Sequence, residues 1–204
     1  MKALVWFAAL AATLAGAVPV LAADPRYPDW PCNQIKVPEL SAAAVWAGPP
    51  IDDVGDAWEN DQQIKDLVAR VAARRMPLED AEKAVTGFLA TATADKQARA
   101  KLLFAGLFAT LNHERSVVMD GIERFSHRQQ GVAERIKSEA QQMRALQDTP
   151  NRDEAKVDEL TNAINWDTRL FEDQRRTIGY VCEVPTIIER RLGALARAIQ
   201  QSLE

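Results

Sequence analysis

The sequence predicts an all-α protein. Its centre is a long antiparallel helical hairpin that forms a coiled-coil arm, with two shorter helices completing a four-helix base and a Pro-rich N-terminal arm. Three observations lead there. Val157, Leu160, Ile164, Asp167, Phe171, Gln174, Ile178, Val181, Pro185, Ile188, Leu192, Leu195 and Ile199 keep strict 3,4 spacing, the mark of a heptad seam. Phe104, Leu111, Val118, Ile122, Phe125, Val132, Ile136, Met143 and Leu146 repeat that rhythm upstream, and so long a helix needs such a partner. Between the runs lies Asp148-Thr149-Pro150-Asn151-Arg152, a short polar turn with proline where a new helix can begin.

In chain order, residues 1–22 read as a signal peptide. Lys2 precedes an apolar run that ends in small residues at Val20-Leu21-Ala22, and Gly16 and Pro19 favour cleavage over a permanent anchor. Export to the periplasm follows, with membrane contact only through this segment before cleavage. Residues 23–55 form the Pro-rich arm. Pro25, Pro28, Pro31, Pro38, Pro49 and Pro50 keep it extended, and Tyr27, Trp30 and Trp46 suit packing along a groove. Ser41 to Trp46 is expected to form a helical turn or two.

The helical domain, 56–204, is expected to hold helices over about 56–75, 77–92, 95–147 and 151–203. Asp56 and Glu59 have capping-box spacing, Pro77 suits a first helical position, and Thr93 is a cap for the third helix. Residues 102–111 are apolar almost all round, as inside a four-helix bundle, while beyond Ile122 the pattern narrows to a two-helix seam. With the turn at Pro150, facing residues have numbers summing to about 300. Met143 then meets Val157, Ile136 meets Ile164, Ile122 meets Ile178, and His127 lies beside Asp173.

The chain has 25 Lys and Arg against 29 Asp and Glu, which argues against a nucleic-acid partner or an electrostatic membrane role. Its two cysteines, Cys32 and Cys182, are expected to form a disulfide that pins the N-terminal arm to the last helix. His113 and His127 are roughly 21 Å apart on one helix, so no metal site is expected, nor any cofactor. No nucleophile motif or phosphate-cradling loop is present, and the acids Asp52, Asp53, Asp56, Glu59 and Asp61 lack calcium-loop spacing. A non-enzymatic protein is expected.

One polar constellation interrupts the seam. Arg115 falls at a core position opposite Pro185, which cannot donate to the carbonyl of Val181. Arg115 is expected to serve that carbonyl and to pair with Glu183 or Glu189, with Asn112 in the same turn. The structural reading is a kink locked by arginine and disulfide; the functional one is a small polar site. Asp167 and Gln174 are two further polar seam positions that fix register.

Asp29-Trp30-Pro31-Cys32, Val45-Trp46-Ala47-Gly48-Pro49 and Tyr180-Val181-Cys182-Glu183-Val184-Pro185 resemble the marks of a family of uncharacterised exported bacterial α-helical proteins. The resemblance implies a helical fold and no catalytic residues. The function expected is an exported helical interaction or structural module presenting its coiled-coil arm to a periplasmic or envelope protein. The alternative is a small-ligand or metal-dependent periplasmic protein using the junction around Arg115 and Pro185. A homodimer is compatible with either.

Overall fold

A computed structural model describes residues 24–92 and 94–204. The signal peptide and the Thr93 cap expected from the sequence lie outside the described residues. The described chain is all-helical: α1 (Ala42–Val45), a 3₁₀ turn (Ala57–Asn60), α2 (Gln62–Ala72), α3 (Leu78–Thr91), α4 (Lys96–Gln147), α5 (Glu154–Cys182) and α6 (Val184–Gln201). The 52-residue α4 is the long element against which α2, α3, α5 and α6 pack.

Local chemistry corrects several expected boundaries. The Asp56–Glu59 capping box does not form. Asp56 has near-helical dihedrals (φ −91°, ψ 13°) and makes no cap bond, so Ala57–Asn60 is only a 3₁₀ turn. Asp61 is extended instead, and its carboxylate accepts the amide of Ile64 at 3.1 Å, which starts α2 at Gln62. That shift lets Trp58 lie against α4 over Gly106, where a Cβ would come within 2.8 Å of its ring. Pro77 stands just outside α3 in extended geometry, and its carbonyl accepts the amide of Ala81.

The expected last helix, 151–203, is two helices. Proline has no amide hydrogen and collides with the carbonyl four residues back, so Glu183 closes α5 and Pro185 is used in the first turn of α6. Asp153 caps α5 through the amide of Lys156, after Asn151 turns the chain with φ 58°.

The main core is made by Ile64, Val68, Val85, Leu89, Phe104, Leu107, Leu111, Ile188, Leu192, Leu195 and Ile199, with Trp46 stacked on Phe104 at 4.2 Å between ring centroids. Burying one such side chain contributes about 1.5–3 kcal/mol. All the seam positions named above, on both runs, are buried or half-buried. On α4, however, the last fully buried side chain is Ile122, although the helix continues to Gln147.

Polar pairs give the register in this distal part. Gln129 donates to Gln174, Arg135 Nε donates to Asp167 at 2.5 Å, and Thr161 lies 3.4 Å from the sulfur of Met143. Their numbers sum to between 302 and 304, slightly above the expected 300. The expected His127–Asp173 pair is absent: Asp173 takes Arg176 on its own helix and His127 is exposed. His127 lies midway between the seam positions Phe125 and Gln129, which turns it to the side of α4 away from α5.

Candidate functional site: the Arg115 junction

Arg115 sits on α4 where the main core gives way to the distal seam, and it is only 2% exposed. A buried guanidinium is tolerated only when its donors are used. Here Nε donates to Glu189 Oε1 at 2.6 Å, Nη2 to the carbonyl of Val37 at 2.6 Å, and Nη1 to the carbonyl of Pro38 at 3.3 Å. The expected pairing with Glu183 or Glu189 therefore forms with Glu189, whereas the expected bond to the carbonyl of Val181 does not. The carbonyl partners of Arg115 belong to the N-terminal arm and not to Val181. Glu183 is exposed and spends its backbone amide on the carbonyl of Tyr180. Pro185 is buried beside the junction, and Asn112 stays half-buried with Oδ1 unpaired among the described residues.

Cys32 and Cys182 are bonded, with Cα atoms 5.6 Å apart, and this fixes the arm to the end of α5. Around the bond, Gln34 donates to the carbonyl of Cys182, and the indole of Trp30 donates to the carbonyl of Gln34 at 2.8 Å. Lys36 reaches Glu123 at 2.5 Å while lying 4.7 Å from the centre of the Tyr27 ring. Farther along α4, Gln130 donates to Asp29 at 2.9 Å. Trp30, Met119 and Ile122 form a second core cluster under this strap, flanked by Tyr27, Ile178 and Val181. The arm thus covers one face of the α4–α5 seam from Arg115 to Gln130.

The cleft left between Trp30, Gln34, Val37, Arg115, Pro185 and Glu189 has a volume of about 110 Å³. At about 30 Å³ per water it suits three or four solvent molecules, well below the roughly 300–1,000 Å³ of small-molecule sites. The chemistry available is that of a lock: one cation joining two helices and an extended segment. Among the described residues, no group of three metal-ligating side chains stands together, and no helix is long and apolar enough to cross a membrane.

Sequence reasoning missed a second buried arginine. Arg191 on α6 donates from Nε to the carbonyl of Val71 at 2.7 Å and from Nη2 to the carbonyl of Met76 at 3.0 Å. It satisfies acceptors at the end of α2 and in the α2–α3 loop, and burial pulls its guanidinium below the ordinary arginine value. Its place between Ile188 and Leu192 in a largely apolar stretch was the available signal. Gln34 and Lys36 carried none, because an extended segment has no periodicity to read.

Compared with known proteins, the chain is matched by no family model, no curated protein and no solved structure.

Proposed function

We propose that the chain is an exported, non-enzymatic interaction module. In this reading α4 pairs antiparallel with α5 and α6 as a hairpin, the near half completes a four-helix base with α2 and α3, and the far half projects as a coiled-coil arm toward an envelope protein. The observation that carries the reading is the change in burial along α4. Full burial stops at Ile122, and the helix then runs on to Gln147, paired with α5 and contacted by the strap as far as Gln130. A two-helix arm of that length does little for the stability of the base, and its polar seam positions specify pairing at a cost in stability. The Cys32–Cys182 bond and the Arg115 lock hold the foot of the arm rigid. The resemblance in the cysteine-bearing segments is consistent with an exported helical family that has no assigned activity.

Photocrosslinking in the native envelope tests this proposal. A benzophenone side chain placed at Gln141, Arg152 or Leu170 on the arm should form protein adducts, while one at Lys65 or Glu82 on the base should not. Adducts confined to the base would overturn it.

A further inference from the structure

The N-terminal strap covers one face of the arm, touching α4 at Met119, Glu123 and Gln130. The opposite face carries two further stripes with 3,4 spacing that the seam does not use. On α4 the stripe runs Val117, Gly121, Arg124, Arg128, Gly131 and Arg135. On α5 and α6 it runs Ala163, Trp166, Leu170, Asp173, Thr177, Tyr180, Val184 and Ile187, and its one acid, Asp173, is paired with Arg176. Trp166 is 65% exposed and Tyr180 78%, and Val117, Leu170 and Ile187 are also exposed. Arg135 of the α4 stripe pairs with Asp167 on the adjoining seam, and in the antiparallel pair both stripes fall on the side of that seam away from the strap, so they border one groove.

We propose that this uncovered groove takes an acidic amphipathic helix from a partner protein. The inference rests on the arm being an interaction module and names the face and the partner chemistry. Three features select that occupant. Aromatic and aliphatic side chains at helical spacing fit the apolar face of a docked helix. Arg124 and Arg128 are exposed and join none of the ion pairs among the described residues, which leaves two unneutralised cations on this face of a chain of net charge −4. Carboxylates flanking the partner's apolar stripe would meet them. Gly121 and Gly131 weaken the helix interior, yet a Cβ on either would meet nothing closer than 3.9 Å. No described residue packs closely against either, and the backbone of a docked helix could approach there. A second copy adds no acidic stripe to meet the two arginines, and a two-fold axis lying across the helices would set arginine stripe against arginine stripe.

The test uses the full chain in its native envelope, with benzophenone at Leu170 on the groove, at Gln130 under the strap and at Arg175. Leu170 should crosslink to a protein segment that has apolar residues three and four apart and a net negative charge, while Gln130 and Arg175 should not. Arg124→Glu with Arg128→Glu should cut that adduct about tenfold and leave the disulfide and melting temperature unchanged. A phospholipid adduct, an adduct to a second copy, or an adduct insensitive to the double charge reversal overturns the proposal. Adducts only from Gln130 or Arg175 would also overturn it while the interaction reading stands. No adduct from any arm position removes both.

Discussion

Truncating Arg115 to alanine removes a buried cation and strands three acceptors at once: the carbonyls of Val37 and Pro38 and the Glu189 carboxylate. A buried acceptor left unpaired costs about 1–3 kcal/mol. Val37 is exposed, so water can reach the strap as it relaxes, and the lower end applies to each carbonyl. The Glu189 side chain is 37% exposed, which limits the ion pair to about 0.5–1 kcal/mol. The expected loss is about 3 kcal/mol, read by urea unfolding with the disulfide intact. Limited proteolysis should show where it falls: residues 34–40 are cut faster, while the seam around Ile164 stays resistant. Because Arg115 Nε bonds Glu189, combining Arg115→Ala with Glu189→Ala should couple, whereas Arg115→Ala with the distant Arg191→Met should be additive. A loss within about 0.5 kcal/mol, with unchanged proteolysis in residues 34–40, would refute the lock.

Four other outcomes follow from the same contacts. Replacing Cys32 and Cys182 by serine removes a crosslink between residues 150 apart in sequence, for which the chain-entropy description gives about 5 kcal/mol at most, and limited proteolysis should cut first within residues 24–40. Ile178→Asp should cost several kcal/mol by burying a charge beside Ile122, about 3 or more, while exposed Glu159→Lys should change melting little. Arg191→Met should cost about 2–4 kcal/mol by stranding the carbonyls of Val71 and Met76, with exchange rising at the end of α2. The hydrogen bond from Lys101 holds the Asp53 carboxyl below the usual carboxylate range, so any stabilisation is present above that range and is lost as pH falls through the depressed value. Lys101→Met should return the Asp53 midpoint to the ordinary range in an NMR titration.

Helical periodicity made the all-α class and both long runs legible, because every heptad position from Val157 to Ile199 had to be withdrawn from water. The buried Arg115 and its carboxylate Glu189 were legible for the same reason: a charge on a seam needs a partner at a countable distance along the facing helix. What the sequence did not reveal was the strap. Its contacts at Gln34, Lys36, Val37 and Pro38 come from extended backbone, where carbonyls carry no residue identity and spacing carries no phase. Proline at 185 was readable as a perturbation, but not as a complete break, since a kink and a new helix start impose the same local restriction on φ. The helix start at Asp61 lost to Asp56 in the sequence because two acids five residues apart offer equivalent caps until Trp58 is placed against Gly106.

Small-angle X-ray scattering of residues 24–204 tests the hairpin most directly. A compact chain of this length has a radius of gyration of about 16 Å. At 1.5 Å per residue the 52-residue α4 is about 78 Å long, and a rod-like body of that length gives about 23 Å. A hairpin with a projecting arm should therefore measure about 23 Å at all concentrations that remain monomeric. The compact-chain value would mean that the arm folds back on the base. A value of about 40 Å would mean that α4, α5 and α6 extend end to end, and either result would contradict the hairpin.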